Sequence, residues 1–265
     1  MPRRARLDAE LVRRGLARSR EHAGSLIAAG RVSVRGSVAA KAATGVESDV
    51  AIVVREDAED ENWASRGAHK LIGALDAFAL PVEGKRCLDA GASTGGFTDV
   101  LLRRGARHVV AADVGRGLLV WRLQTDERVT VLDRTNVRAL EPAAVGEPVD
   151  LVVADLSFIS LGIVLPALMA CSAPDADLLP MVKPQFEVGK ERLGSGGVVR
   201  DPDLRAEAVL GVVEQAARLG LRAHGVVASP LPGPSGNVEY FLWLRRGEPA
   251  DAAELVATAV REGPA

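Results

Sequence analysis

The sequence predicts an α/β protein with two domains, in which a small α+β domain precedes a larger one built on a Rossmann-like, seven-stranded sheet. Beyond about residue 66, β-like runs alternate with helical stretches, a pattern typical of a parallel sheet covered by helices. Before that point lie two short helical patterns and two strand-like runs, followed by an acidic stretch at 55–61 without apolar periodicity. A chain of 265 residues, 48% of them hydrophobic, can bury one sizeable core beside a small second domain.

The small domain is predicted over residues 1–59. Its first helix rests on apolar residues at helical spacing, namely Leu7, Leu11 and Val12. A second helix follows Ser19, a residue type that favours the N-cap, and Gly30 fits the end of that helix. Residues 31–36 and 50–54 then have the pattern of short strands.

The large domain is predicted over residues 66–265, after a linker at 60–65. Its seven strand candidates are short and mostly apolar, and they lie at 86–89, 108–113, 129–133, 149–155, 177–183, 223–228 and 238–244. Helical stretches are predicted at 66–79, 96–104, 160–172 and 203–219, with a modest terminal helix within 247–265. In open α/β sheets, ligands bind at the carboxyl edge of the strands, so candidate site residues are sought there.

Basic residues are concentrated near the N-terminus. Residues 1–41 contain ten Lys or Arg and three Asp or Glu, a net charge of +7, whereas the remaining 224 residues carry a net charge of −9. This distribution indicates that the small domain binds a polyanion, although a solvated helical face is the plainer alternative. The arginines taken as candidate RNA contacts are Arg4, Arg6, Arg14, Arg18, Arg20, Arg31 and Arg66.

Composition also excludes several classes of protein. Cys87 and Cys171 lack the paired spacing of a zinc site or a disulfide framework, and the four histidines have no ligand spacing, so no metal is expected. The basic start leads into Leu7-Asp-Ala-Glu10, which is unlike a secretory signal, and no apolar run approaches the ~18 residues of a membrane span. We therefore expect a cytoplasmic protein with no membrane association.

A glycine-rich turn at the end of the first large-domain strand is the candidate cofactor site. Asp89-Ala-Gly91-Ala-Ser-Thr-Gly95-Gly-Phe97 runs from that strand into a helix, and glycines let the backbone approach a ligand closely. Asp113 lies 22 residues beyond Gly91, a spacing suited to a carboxylate that binds ribose hydroxyls. A nicotinamide dinucleotide fits that spacing too, but the loop departs from G-x-G-x-x-G, which favours a nucleoside methyl donor. The candidate cofactor-binding residues are Asp89, Gly91, Ser93, Thr94, Gly95, Gly96, Phe97, Asp113, Val114, Asp133 and Asp155.

Four ionisable residues are candidates for catalysis, namely Lys70, Asp155, Lys183 and Glu239. Asp155 and Lys183 both end mostly apolar strands at the predicted ligand-binding edge. Taken singly, each of the four is more often a surface charge or a member of an ion pair. Their joint occurrence indicates a site.

Several sequence blocks resemble the TlyA family, historically called hemolysin A, of ribosomal RNA 2'-O-methyltransferases. The blocks are Ala17-Arg-Ser-Arg20, Ser65-Arg-Gly-Ala-His-Lys-Leu71, Cys87-Leu-Asp-Ala-Gly-Ala-Ser-Thr-Gly-Gly-Phe-Thr98, Val153-Ala-Asp-Leu-Ser-Phe-Ile-Ser160, Val182-Lys-Pro-Gln-Phe-Glu187 and Ser229-Pro-Leu-Pro-Gly-Pro-Ser-Gly-Asn-Val-Glu-Tyr240. Together they extend over nearly the whole chain. One departure lies between the domains, where the family often has Trp-Val and this chain has Trp63-Ala64.

The resemblance implies an N-terminal domain like that of ribosomal protein S4 and an FtsJ-like methyltransferase domain. It implies that S-adenosyl-L-methionine donates a methyl group to the ribose 2'-hydroxyl of cytidine in 16S or 23S ribosomal RNA, or in both. It also places the lysine-aspartate-lysine-glutamate tetrad of such enzymes on Lys70, Asp155, Lys183 and Glu239. The expected partners are ribosomal RNA or ribosomal subunits, and the oligomeric state is left open, with a monomer favoured.

The residues also bear on the chemistry. A lysine can act as a base when burial or a second ammonium favours its neutral form, so we expect Lys183 to be the base, oriented by Asp155 and Glu239, while Lys70 positions the ribose or its phosphate. Asp155-Leu-Ser-Phe158 lacks the prolines used to hold an exocyclic amine, and neither cysteine follows a proline, so methylation of a base is disfavoured. Two alternatives stay open: a membrane-active hemolysin and a non-enzymatic RNA-binding assembly factor.

Overall fold

The computed structural model describes residues 5–17, 19–28, 30–47, 50–54, 63–233, 235–247 and 251–264. The chain divides into two compact units, Met1–Asn62 and Trp63–Ala265. The candidate contacts Arg4 and Arg18, and residues 60–62 of the predicted linker, lie outside the described residues.

Among its described residues, the small unit contains two helices and five short strands. In chain order these are β1 (Ala5–Arg6), α1 (Leu7–Arg13), α2 (Arg20–Ala28), β2 (Val32–Val34), β3 (Ser37–Val38), β4 (Gly45–Val46) and β5 (Ile52–Val54). The predicted ends of α2 are confirmed, because the Ser19 hydroxyl oxygen accepts the His22 N–H at 3.1 Å and Gly30 adopts φ +69°. The prediction missed β1, β3 and β4, since two-residue strands show no periodicity.

The large unit begins with a helix and continues as an alternation of strands and helices. Its strands are β6 (Arg86–Ala90), β7 (His108–Ala112), β8 (Val129–Leu132), β9 (Val149–Ala154), β10 (Ser172–Val182), β11 (Leu221–Ala228) and β12 (Tyr240–Arg246). Its helices are α3 (Gly67–Ala77), α4 (Gly96–Arg103), α5 (Trp121–Gln124), α6 (Pro142–Val145), α7 (Leu161–Ala170), α8 (Pro184–Glu187), α9 (Pro202–Arg218) and α10 (Ala252–Glu262). The predicted fold class, a seven-stranded Rossmann-like domain after a small α+β domain, is confirmed.

All seven strands form one sheet in the order β11-β12-β10-β9-β6-β7-β8. Strands β6 to β10 pair in parallel, whereas β12 lies antiparallel between β10 and β11. The sheet is therefore mixed rather than wholly parallel. Strand β10 also starts earlier than predicted, at Ser172, because its first four residues are partly or fully exposed and include Pro174 and Asp175, which removes the apolar signal.

Helices cover both faces of this sheet. One apolar cluster packs α7, α9 and α10 against it, and a second packs α3 and α4 on the opposite face. Cys171 belongs to the first cluster and Cys87 to the second, and both thiols are unpaired and buried. Burial raises the pKa of the Cys87 thiol to about 12 and also raises that of Cys171. In the part of the chain that the structure describes, no helix has the length and apolarity needed to cross a membrane.

Candidate active site

Three of the four predicted catalytic residues stand at the ends of neighbouring strands. Asp155 directly follows β9, Lys183 directly follows β10, and Glu239 directly precedes β12. The Lys183 Nζ lies 2.6 Å from Asp155 Oδ1 and 4.0 Å from Glu239 Oε1. Because β12 runs antiparallel to β10, with Tyr240 opposite Val182, its starting end lies at the carboxyl edge of the parallel strands.

The fourth residue, Lys70, reaches the same cluster from α3. Its Nζ lies 2.5 Å from Glu239 Oε2. The Glu239 side chain is completely buried, and those of Lys70 and Lys183 are only 11% and 8% exposed. Two ammonium groups and two carboxylates thus alternate in a chain from Lys70 to Asp155, which balances charge in a place where an unpaired ion would be costly.

Space for the Glu239 carboxylate depends on a glycine. A Cβ at Gly233 would come within 2.6 Å of Glu239 Oε1, so any larger residue would push that carboxylate out of place. Glu239 Oε1 is also buried with no hydrogen-bond partner among the described residues. An orphaned carboxylate oxygen beside two ammonium groups is an acceptor available to a hydroxyl of a substrate.

A fifth side chain, Ser157, reaches the cluster and was not predicted from the sequence. The Lys183 Nζ donates to the Ser157 hydroxyl oxygen at 3.0 Å. Ser157 belongs to the block Asp155-Leu-Ser-Phe158, so its position two residues after a candidate carboxylate was the available signal.

The glycine turn that follows β6 touches this cluster directly. Gly91 has φ +87°, and a Cβ there would lie 2.4 Å from the backbone oxygen of Asp155. Only glycine allows so close an approach with that backbone conformation. The candidate cofactor turn and the candidate catalytic residues therefore share one edge of the sheet.

Asp113, at the end of β7, shapes the same turn. Its carboxylate accepts the Ser93 N–H at 2.9 Å and the Gly115 N–H at 2.7 Å. Each oxygen keeps a further lone pair, which can accept from a ribose hydroxyl. A cavity of about 410 Å³ lies beside Gly91, Ser93, Asp113, Val114 and Asp155.

The other predicted cofactor residues do not line this cavity. Asp133 accepts the Gly117 N–H at 3.0 Å from an exposed position, and Gly95 lies beneath Leu119 and Leu123. Thr94 precedes α4, Gly96 and Phe97 begin that helix, and Asp89 is inside β6. Conversely, the cavity has wall residues that the sequence did not indicate, namely Asn136, Val137, Leu156, Ser157, Phe158, Ile159 and Val164.

Asp89 is a buried acid inside β6, two residues before Gly91. Thr98 Oγ1 donates to its Oδ2 at 2.6 Å, while Oδ1 has no hydrogen-bond partner among the described residues. Burial raises the pKa of the Asp89 carboxyl from 3.8 to about 7, with smaller contributions in the same direction from the charges of Asp155 and Asp113.

A pH-dependent gain in stability is expected for Asp89→Asn. The folded chain binds a proton at Asp89 between about pH 4 and pH 7, whereas the unfolded chain has lost it, so the free energy of unfolding falls as pH rises through that window. The variant lacks this fall, and its melting temperature relative to wild type should rise by roughly 5 °C between pH 5 and pH 8. Calorimetric scans across this range test it, and a constant difference would contradict the buried-acid interpretation.

A larger cavity of about 860 Å³ is lined in part by Lys183 and Glu239. Phe158 stands at its rim with φ +64° and is 90% exposed, and its ring centroid lies 5.2 Å from that of Phe186. Glu187 ties the walls together, because its carboxylate accepts the Ser160 hydroxyl at 2.6 Å and the Leu161 N–H at 2.9 Å. An exposed aromatic side chain in a strained backbone conformation is typical of a ligand contact.

The predicted RNA-contacting arginines that the structure describes differ in exposure and in their partners. Arg6 and Arg20 are more than half exposed while pairing with buried Asp8 at 2.9 and 3.0 Å. Arg14 is only 21% exposed and donates to Glu10 and to the Val50 carbonyl, so its charge serves mainly to hold the small unit together. Arg31 is half-buried, and Arg66 is exposed just before α3 in the large unit.

Trp63 and Ala64, of which Ala64 departs from the family pattern, are anchored on α4. The Ala64 N–H donates to Asp99 Oδ2 at 2.9 Å, and the Arg103 guanidinium lies 4.1 Å from the centroid of the Trp63 ring. The hydrogen bond from the backbone N–H of residue 64 does not depend on the side chain at that position. Alanine in place of the family's valine therefore leaves this anchor in place.

Comparison with known proteins agrees with this architecture. Residues 63–246 match the FtsJ-like methyltransferase family, and residues 5–52 match the S4 domain. The chain is 63% identical to the 16S/23S rRNA (cytidine-2'-O)-methyltransferase TlyA of Mycobacterium tuberculosis, with 100% of both proteins covered. It is 35% identical to the 23S rRNA (cytidine-2'-O)-methyltransferase TlyA of Campylobacter jejuni, over 71% of this chain and 72% of that protein. A solved structure from Streptococcus thermophilus, described as a hemolysin, has a TM-score of 0.77 at 34% identity, covering 99% of this chain and 98% of that one.

The fold and the site define a Rossmann-like methyltransferase that carries an S4 domain. Within that class, the chain belongs to the TlyA family, which confirms the resemblance seen in its sequence blocks.

Proposed function

We propose that this protein transfers a methyl group from S-adenosyl-L-methionine to the ribose 2'-hydroxyl of cytidine in ribosomal RNA. The proposal rests on the contact between the candidate cofactor turn at Gly91 and the candidate catalytic residue Asp155. The Gly91 turn meets the backbone of Asp155, whose side chain pairs with Lys183 at 2.6 Å. A donor held by that turn would therefore lie beside a lysine able to take a proton. Relatives whose names specify cytidine-2'-O methylation of ribosomal RNA support the choice of substrate.

The residues at the turn fit this donor. Gly91 leaves open the space that a Cβ would fill, and the Asp113 carboxylate retains acceptor capacity for ribose hydroxyls. Val114 is exposed and gives the cavity an apolar wall suited to a nucleoside base. When bound, S-adenosyl-L-methionine supplies an electrophilic methyl group on a sulfonium and leaves as a neutral thioether.

The four ionisable residues supply the remaining chemistry. Lys183, in its neutral form, accepts the proton of the 2'-hydroxyl as that O–H bond breaks, and the oxygen forms the new bond to carbon. Asp155 stabilises the ammonium that results, across 2.6 Å. Lys70 holds one oxygen of Glu239, which leaves the orphaned Oε1 to accept from a hydroxyl of the target nucleotide. The alignment of nucleophile and methyl group accounts for much of the acceleration.

The rest of the molecule supplies RNA binding. The S4 domain carries exposed arginines, and the 860 Å³ cavity lined by Lys183 can receive a nucleotide withdrawn from its stack. Phe158 and Phe186 at its edge offer faces on which a base can stack. We infer that the substrate is ribosomal RNA or a ribosomal subunit, that the protein acts in the cytoplasm, and that it acts as a monomer.

Mapping of methyl groups on ribosomal RNA tests this function. Purified protein is incubated with S-adenosyl-L-methionine and with each of three substrates: naked ribosomal RNA, small subunits and large subunits from cells lacking the gene. Mass spectrometry of nuclease digests should reveal 2'-O-methylcytidine in at least one arm. Methyl groups on a base would refute the assignment, and RNA and donor binding without turnover would favour the non-enzymatic assembly factor.

A further inference from the structure

Two side chains from the same loop hold the Lys183 amine. Asp155 Oδ1 lies 2.6 Å from Nζ, and Ser157 Oγ accepts from the same nitrogen at 3.0 Å. The third neighbour, Glu239 Oε1, is 4.0 Å away, which is beyond hydrogen-bond distance. Among the described residues, Asp155, through the ion pair, and Ser157, through the hydrogen bond, are therefore the side chains placed to direct the hydrogens of this nitrogen.

The number of these acceptors matches the needs of a lysine base. A neutral amine carries two N–H bonds and one lone pair, whereas an ammonium carries three N–H bonds. When Asp155 and Ser157 each accept one N–H, the lone pair must occupy the remaining direction. Lys183 and Ser157 both line the 860 Å³ cavity, so that remaining direction is the one left for a hydroxyl entering from the cavity.

The loop that carries Ser157 is fixed on both sides. Upstream, the Asp155 N–H donates to the Ala90 carbonyl at 3.0 Å, which ties the loop to β6. Downstream, Glu187 binds the Ser160 hydroxyl and the Leu161 N–H, which ties it to the segment just after Lys183. The Ser157 hydroxyl is thus held at a set distance from the lysine even though its own side chain is exposed.

We propose that Ser157 is a positioning residue that acts with Asp155 to orient the Lys183 amine, so that its lone pair faces the target 2'-hydroxyl. The proposal rests on the proposed function, because it requires Lys183 to be the proton acceptor. Ser157 itself gains or loses no proton in the reaction. The proton passes from the 2'-oxygen to Nζ, and Ser157 accepts one N–H bond before and after that transfer.

The test compares Ser157→Ala with Ser157→Thr, which restores a hydroxyl at the same position. We expect Ser157→Ala to lower kcat by roughly 10-fold, the effect of one misdirected hydrogen bond, while the KM for RNA and the Kd for S-adenosyl-L-methionine stay within about twofold. Ser157→Thr should recover most of the loss. Ser195→Ala, a matched exposed serine with no role assigned in the site, should leave kcat unchanged.

The pH dependence of kcat separates positioning from a merely structural effect. Around Nζ the charged groups are Asp155 and Glu239, with Lys70 beyond Glu239, and the alanine variant alters none of them. Loss of an acceptor that stabilises the ammonium favours the neutral amine, so the rising limb of the profile should move to lower pH while the plateau falls. An unchanged kcat, or a loss that threonine does not rescue and that leaves the rising limb in place, would overturn the proposal. Absence of 2'-O-methylcytidine with the wild-type protein would instead refute the proposed function.

Discussion

Replacement of Lys183 by alanine is expected to lower kcat for methyl transfer by roughly 10²- to 10⁴-fold, the contribution typical of a positioned general base. The side chain is almost fully buried and lies 2.6 Å from Asp155, so no neighbouring group can take its place at the same point. Its ammonium is not part of the walls of the smaller cavity, so the Kd for S-adenosyl-L-methionine should change by no more than about threefold. Single-turnover kinetics with saturating RNA and isothermal titration of the donor measure the two quantities.

Lys190→Ala provides the matched control for Lys183→Ala. Lys190 lines the same 860 Å³ cavity and is exposed, and in the described part of the chain it makes no hydrogen bond or ion pair to the four-residue cluster. Its loss should cost less than about tenfold in kcat/KM, as for a peripheral phosphate contact. Near-normal turnover by the Lys183→Ala protein would show that another group removes the proton.

Removal of residues 1–62 is expected to weaken RNA binding by about 100-fold or more at moderate salt, with little change in donor affinity. The deleted segment contains the ten Lys and Arg of residues 1–41, although the acidic residues that follow them lower the net charge of 1–62 to +1. Counterion release at the basic cluster makes affinity for RNA depend steeply on those ten charges. The unit Trp63–Ala265 keeps both of its apolar clusters, so the donor site should persist. Fluorescence anisotropy with an RNA fragment at several salt concentrations gives both the affinity and its salt slope.

The truncation is best compared with a charge change inside the large unit. Arg107 is half exposed and directly precedes β7, at the edge of the sheet opposite the site, so Arg107→Ala should leave RNA affinity within about twofold of wild type. If the truncated protein binds RNA as tightly as the full chain, with the same salt slope, the small unit is not the principal RNA contact.

The alternation of strands and helices was readable from the sequence because buried parallel strands produce long apolar runs. The orientation of β12 was not, since an antiparallel strand with the same apolar content gives the same pattern. That orientation decides the site, because it brings Glu239 to the carboxyl edge beside Lys183. Before the structure, Glu239 was therefore an ionisable candidate only, and its place in the catalytic tetrad came from the family resemblance.

The sequence also could not show which residues away from the strand ends belong to the site. Asp155 and Lys183 were marked by their place at strand ends, whereas Lys70 lies on a helix and joins the cluster only through tertiary packing. Among the turn residues, the sequence could not separate those that face the cavity, such as Gly91, from those that support it, such as Gly95. Both glycines adopt a positive φ, so glycine is favoured at both positions and the sequence does not distinguish a cavity-lining glycine from a supporting one.

The two buried cysteines can report when the helices that cover the sheet of the large unit detach from it. Cys87 lies under the α3 and α4 layer and Cys171 under the layer of α7, α9 and α10, so each thiol is shielded by a different set of helices. A thiol that is buried and protonated reacts with an alkylating reagent only while its cover is displaced. Comparing the modification rates of the two sulfurs would therefore reveal whether the helical layers detach together or one at a time.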